Sequence, residues 1–143
     1  IIIIKVKKII KPFLFKYKIF PDFSGTLIPF YINNSFPKKF LLKRFFLLYG
    51  KSRHFRADHA HTKCSQIIVP LKGSIKIKIT SKSKNKTFFL SVKKNNALFV
   101  PPYNWITIFF KNNNDSLLTL CNYKYDKKEY ILELDKFKKI ISK

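Results

Sequence analysis

The stretch Arg56-Ala57-Asp58-His59-Ala60-His61-Thr62-Lys63-Cys64-Ser65-Gln66, followed by the apolar run Ile67 to Leu71 and by Gly73, carries two of the chain's three histidines. Side chains alternate along a strand, so His59 and His61 point to one face, with Gln66 a strand-length further on. Imidazole is the side chain whose ordinary pKa lies nearest neutrality. Two of them aimed into one space make a metal site or a proton-transfer site. The competing reading is a satisfied or solvent-facing pair at a strand entrance. His54 falls in a loop outside the pattern and reads as exposed.

The spacing His-x-His, four residues, Gln66, six residues, Gly73 resembles the first motif of the cupins. A metal-binding cupin has a carboxylate where Gln66 stands and a third histidine on a later strand. The matching later segment is Phe99-Val100-Pro101-Pro102-Tyr103-Asn104-Trp105-Ile106, which puts Ile106 at the histidine's place. Two imidazoles and an amide fall short of the three or more protein ligands that zinc or iron takes. The site therefore reads as metal-free and cofactor-free, with the histidines as acid and base.

The chain further resembles the sugar 3,4-ketoisomerases, small metal-free cupins that act on dTDP-4-dehydro-6-deoxyhexoses. The resemblance rests on Gly25-Thr26-Leu27, on Lys43-Arg44 before an aromatic strand, and on Arg56-x-x-His59-Ala60-His61-x-x-x-x-Gln66. It continues through Leu71-x-Gly73-Ser74, Pro101-x-x-x-Trp105, Tyr125-Asp126-x-x-x-Tyr130-Ile131 and Phe137. These pieces run in the family's order from Asp22 to Phe137. The resemblance implies a cupin-type antiparallel jelly roll and an isomerase that moves a keto group between C4 and C3 of a dTDP-linked deoxysugar. It makes His61 the base at C3 and gives His59 a part in proton transfer at C4 or the hydroxyls. Arg44 and Arg56 hold substrate, Gln66 orients a histidine or a sugar hydroxyl, and Trp105 and Tyr103 line the sugar pocket or stack on thymine. Tyr125, Asp126 and Tyr130 read as structural. The chain departs from the family at Ser24, where Arg is common, at Phe46, where Tyr is usual, and at Ile106, where His is common.

The chemistry sets the same requirements. A proton beside a carbonyl is far less acidic than imidazolium, so a base needs help from a fixed positive donor at the developing oxyanion. Arg44 and Arg56 are the candidates, against the reading that each is one more solvated basic residue. Other functions stay open: a degenerate cupin that binds a nucleotide sugar without turnover, a dTDP-sugar 3,5-epimerase on a similar fold, and a nucleic-acid-binding barrel.

A chain of 143 residues, 46% hydrophobic and 17% aromatic, suits a single domain over 1–143 with one core. The formal net charge of +23 points towards polyanions. However, Lys, Asn, Ile, Phe and Tyr all have A- and T-rich codons, and the basic residues gather in no single helix or arm, so no nucleic-acid partner is expected. Cys64 and Cys121 are too far apart for a Cys-x-x-Cys pair and read as buried thiols. No segment has the length and freedom from charge of a membrane span. Ile1 to Ile10 carries its lysines after its apolar start, unlike a signal peptide. The expectation is a cytoplasmic homodimer in deoxy(amino)sugar synthesis for surface polysaccharide, such as the O-antigen of lipopolysaccharide. The dimer follows from the resemblance, with Ile1 to Ile10 exchanged between subunits.

The elements that must position these residues read as strands. Candidates are Ile1 to Ile10, Phe13 to Phe20, Thr26 to Ile32 at an edge because of Pro29, Phe40 to Tyr49, and the histidine segment. Ser74 to Thr80 alternates Ile75, Ile77 and Ile79 with Lys76 and Lys78, a half-buried strand. Ser81 to Lys86 is a hairpin loop, followed by strands at Thr87 to Val92, Ala97 to Val100, Trp105 to Phe110 and Leu117 to Tyr123. A short C-terminal helix follows, with acids at its start and lysines at its end.

Overall fold

The computed structural model describes residues 11–31, 36–82 and 84–143. The expected strand at Ile1 to Ile10 lies outside them. Strand β1 is Phe13–Lys16, β2 Phe20–Asp22, β3 Gly25–Leu27, β4 Arg44–Tyr49, β5 Phe55–His61 and β6 Gln66–Lys72. Then come β7 Ser74–Thr80, β8 Asn85–Ser91, β9 Asn96–Val100, β10 Trp105–Phe110, β11 Ser116–Cys121 and β12 Tyr130–Ile131, closed by helix α1 at Leu134–Ser142.

Two five-stranded antiparallel sheets face each other, one ordered β1-β9-β6-β11-β4 and the other β12-β5-β10-β7-β8. Strands β4 to β7 and β8 to β11 alternate between the sheets, and the β7–β8 hairpin stays within the second, as in a jelly roll. The first sheet (β1-β9-β6-β11-β4) and the second (β12-β5-β10-β7-β8) enclose a core of Ile68, Ile75, Ile77, Ile79, Leu98, Ile106, Ile108 and Leu117, all buried. The period-2 pattern in β7 is reproduced residue for residue: its isoleucines are buried and Lys76 and Lys78 exposed. A second apolar cluster lies on the outside of the first sheet, where Ile67, Val69 and Phe99 are covered by Phe36 and Phe40 from the preceding loop.

Several boundaries differ from the sequence expectation. Phe13 to Phe20 splits, because β1 stops at Lys16 and Phe20 opens a separate hairpin, β2 with β3. The strand expected from Thr26 ends at Leu27, two residues before Pro29, which has no N–H to give a ladder; Ile32 lies outside the described residues. The strand expected from Phe40 starts only at Arg44, because Lys38 and Lys39 adopt positive φ of 58° and 53° in a turn that folds Phe40 onto the outer cluster. Gly73 makes the β6–β7 turn at φ +78°, where a Cβ would meet the Asp115 carboxylate oxygen at 2.0 Å.

Candidate functional site

Strand β5 carries an irregularity just before its histidines. Ala57 and Asp58 both adopt positive φ, 67° and 60°, and the pairing with β10 slips between Ile106 and Thr107. A bulge of this kind re-aims the side chains that follow it. Asp58 turns outward, where its Oδ1 accepts from Trp105 Nε1 at 3.1 Å and from Thr107 Oγ1 at 3.3 Å. His59 and His61 turn inward together, their Nε2 atoms 3.1 Å apart and their rings nearly perpendicular at 86°. Directly across the ladder from His59 stands Ile106, buried in the core. Cross-strand partners share a face, so the place of a third histidine is an apolar wall.

The partner that orients His61 comes from the end of the chain. Glu129, buried just before β12, holds His61 Nδ1 with Oε1 at 2.5 Å. Its other oxygen accepts from the backbone N–H groups of Thr62 and Lys63, each at 3.1 Å, and of Cys64 at 3.3 Å. Burial opposes the Glu129 charge, but His61 and these amides outweigh it and hold its carboxyl below the ordinary value. An ionised carboxylate only accepts, so Nδ1 of His61 carries a proton and Nε2 of the neutral ring keeps its lone pair. The contact to His59 is then filled by the proton on His59 Nε2.

Both imidazoles are biased to be neutral. Burial lowers His59 to about 4, with repulsion from His61 adding to it against the pull of the Ala57 carbonyl. Burial also lowers His61, more than Glu129 raises it. The ring of Tyr130 packs on both, with centroids 5.0 Å from His59 and 4.4 Å from His61. Its hydroxyl accepts from Arg44 Nη2 at 3.4 Å.

Arg44, in β4, thus reaches across the sandwich to the histidines. The same nitrogen donates to Cys121 Sγ at 3.6 Å, and the guanidinium lies 5.5 Å from the Phe46 ring and 5.4 Å from the Tyr125 ring. Its Nε is buried without a hydrogen-bond partner among the described residues. Cys64 and Cys121 are both buried and unbridged, as the sequence implied, yet the fold brings them close enough to influence each other's protons. Cys64, opposed by burial and aided by Arg44, holds the Cys121 thiol below its ordinary value.

Between the sheets a cavity of about 160 Å³ is lined by His59, Arg56, Gln66, Phe46 and Thr119, among others. Gln66 Nε2 also lies 3.9 Å from Cys121 Sγ. The structure therefore gathers His59, His61, Arg44, Arg56 and Gln66 from three strands. Tyr103 donates its backbone N–H to the His61 carbonyl at 2.7 Å, whereas Trp105 lies on the other face of β5. Ala60, between the two histidines, faces the other side of β5, and Trp105, Ile131 and Phe137 pack with it, with Tyr103 against them. The period of two along β10 sends Ile106 inward and Trp105 outward, beneath α1, so Trp105 is turned away from the histidine cavity.

Sequence reasoning missed Glu129 as a site residue and read Tyr130 as structural only. The available signal was the scarcity of acids: 7 in the chain, with Glu129 one residue before a matched tyrosine. As for metal, His61, Cys64 and Glu129 offer ligand atoms within 4.8 Å of one another. Each of those atoms is already engaged, His61 with Glu129, and Cys64 Sγ with the Ser65 carbonyl at 3.3 Å. An ion there would have to break the bond that orients His61.

The family model described as FdtA: WxcM-like, C-terminal matches residues 11–142. The chain is similar to the TDP-4-oxo-6-deoxy-alpha-D-glucose-3,4-oxoisomerase of Aneurinibacillus thermoaerophilus, 28% identical over 123 residues that span 85% of this chain and 86% of that protein. Among solved structures, QdtA, a sugar 3,4-ketoisomerase from Thermoanaerobacterium thermosaccharolyticum in complex with TDP, superposes with a TM-score of 0.85 at 26% identity, over 93% of this chain and 96% of that one. A 3,4-ketoisomerase from Helicobacter canadensis gives 0.85 at 25% identity, over 92% and 98%.

Proposed function

The chain belongs to the FdtA family of WxcM-like, C-terminal domains, and we propose that it moves the keto group of a TDP-linked 4-keto-6-deoxyglucose from C4 to C3 by histidine acid/base catalysis. The observation that carries the mechanism is the ordered series Glu129, His61, His59, in which a carboxylate fixes the tautomer of one ring and that ring's lone pair faces the other ring.

With the sugar seated against the histidines, Nε2 of His61 takes the C3 proton. The C3–H electron pair forms the C3=C4 double bond, and the carbonyl pair moves onto O4. Two donors meet that charge, the N–H of neutral His59 and the guanidinium of Arg44. A fixed donor of this sort is worth about 10²- to 10³-fold in rate. His59 gives its N–H proton to O4 and takes up the proton of O3, the C3 carbonyl forms, and His61, whose proton exchanges with solvent while the enediol stands, delivers a proton to C4. C4 is reduced as C3 is oxidised, so the balance closes without an external oxidant or reductant. Arg56 at the cavity rim suits the diphosphate, and Gln66 suits a sugar hydroxyl. The basic surface attracts a nucleotide sugar at long range, an effect that salt weakens.

The finer setting is part of the proposal. A 3-keto sugar is ready for amine transfer, which places the reaction in deoxy(amino)sugar synthesis for a surface polysaccharide such as O-antigen. Nucleotide-activated sugars are made in the cytoplasm, and no helix among the described residues is long and apolar enough to cross a membrane. A homodimer is supported by edge strand β4, whose Phe45, Leu47 and Tyr49 are 64%, 50% and 64% exposed, a patch that a second copy would cover.

The test is to supply TDP-4-keto-6-deoxyglucose labelled with ¹³C at C4 and follow the label by NMR. Loss of its carbonyl shift as C3 becomes the ketone supports the proposal. A 3,5-epimerase leaves the carbonyl at C4, and a non-catalytic binder leaves the spectrum unchanged.

A further inference from the structure

The outer face of the second sheet carries a feature that the ketoisomerase reading does not use. Register places Phe89 of β8 opposite Lys76 of β7, Lys76 opposite Phe109 of β10, and Phe109 opposite Phe55 of β5. This single row crosses four strands as Phe, Lys, Phe, Phe. Phe55 and Phe89 are each 56% exposed. Lys76 Nζ sits 4.9 Å from the Phe109 centroid and Lys94 Nζ 5.9 Å from that of Phe89. Phe55 and Phe109 lie 6.1 Å apart. A groove of about 380 Å³ takes in Phe89, Lys76 and Phe109 of the row together with Ser74, Lys94 and Lys111, and none of its lining residues is acidic. The row is on the far side of the sheet from His59, whose cross-strand partner Ile106 is in the core.

We infer that this row is a docking surface for single-stranded nucleic acid. Charge complementarity selects a polyanion, since three lysines edge the groove and no carboxylate lines it, a local cluster that the dispersed basic residues of the sequence do not reveal. The exposed rings select a polyanion that also brings flat apolar faces. A single strand offers both, because its bases stack on aromatic side chains while its phosphates meet the cations between them. Neighbouring strands are about 4.8 Å apart, so rings two strands apart with a lysine between them alternate on the scale of successive nucleotides. A duplex keeps its base faces hidden. An anionic membrane is the poorer fit, because the rings lie on a flat sheet under lysine ammonium groups and do not project from a loop that could enter the headgroup layer. This cluster is invisible in the sequence, where its members lie on four separate strands.

The experiment measures fluorescence anisotropy of the full chain with a labelled 12-nucleotide oligothymidylate and with an abasic 12-mer of equal charge. The inference predicts binding at least about tenfold tighter for the oligothymidylate, stacking being strong per base. Phe109→Leu, which keeps an apolar residue but removes the ring, should shrink that difference at least about threefold without changing the melting temperature. Lys76→Gln should lower the salt dependence by about one counterion. In the unmodified chain, backbone NMR shifts on adding oligothymidylate should concentrate in β7, β8 and β10. Equal affinity for the two oligomers, shifts confined to the histidine cavity, or tighter binding to phosphatidylserine vesicles than to oligothymidylate would overturn it.

Discussion

Glu129 Oε1 and His61 Nδ1 are 2.5 Å apart and both buried, although 68 residues separate them in the chain. Glu129→Gln replaces a charged acceptor by a neutral amide that can present either end to the ring. Turnover should fall about 10- to 100-fold, the usual cost of losing a group that orients a reacting imidazole, with KM nearly unchanged. Steady-state kinetics that instead showed a rise in KM alone would move Glu129 from His61 to the substrate.

Arg44 donates through one nitrogen to both Tyr130 and Cys121 and lies between two aromatic rings. Lysine has the charge but neither the planar fork nor the stacking surface. Arg44→Lys should therefore cost about 10²-fold in kcat/KM, split between kcat and KM because the group meets both the oxyanion and the bound sugar. The kinetic constants of the variant, with its melting temperature as a folding control, check this.

Trp105 gives a contrast. Its Nε1 donates to Asp58 on the outer face and its ring packs 5.7 Å from Phe137 beneath α1. Trp105→Phe should lower stability by about 1–2 kcal/mol through the lost hydrogen bond and packing and leave KM for the nucleotide sugar within about twofold. Chemical denaturation and steady-state kinetics separate the two effects.

Acid should weaken the fold in a defined window. His59 binds its proton near pH 6.5 when unfolded but only near pH 4 when folded, and His61 is shifted the same way. The unfolded chain therefore holds more protons between these values, and stability falls as pH drops from about 6.5 towards 4. Glu129, whose folded pKa is also lowered, adds stability above its ordinary pKa and loses it as pH falls further. Melting temperatures from pH 8 to 4 should decline across this range. His59→Asn should flatten the upper part of the decline.

The jelly roll was legible because its strands alternate cleanly: Ile75, Ile77 and Ile79 could be assigned to the core from spacing alone, and the structure buries all three. The histidine pair was legible for the same reason, since a period of two puts His59 and His61 on one face. What could not be read is whatever depends on long-range pairing. Nothing local to Glu129 says that β12 pairs with β5, which sets Tyr130 opposite His61. Trp105 was misplaced because the motif fixes its position along the strand, while the face it takes depends on the register of β10 against a bulged β5. The closeness of Cys64 to Cys121 has the same origin, in the pairing of Gln66 with Cys121 between β6 and β11.

Deuterium incorporation tests the central assignment most directly. In heavy water with TDP-4-keto-6-deoxyglucose, the wild-type chain should move the carbonyl to C3 and place deuterium at C4. His61→Asn should abolish both, a loss of at least about 10²-fold for a general base, while His59→Asn should still exchange the C3 hydrogen but migrate the carbonyl slowly. Carbonyl migration at the wild-type rate in His61→Asn, or migration with no solvent deuterium entering in the presence of both histidines and with exchangeable label at neither carbon after many turnovers, would contradict proton transfer through this pair.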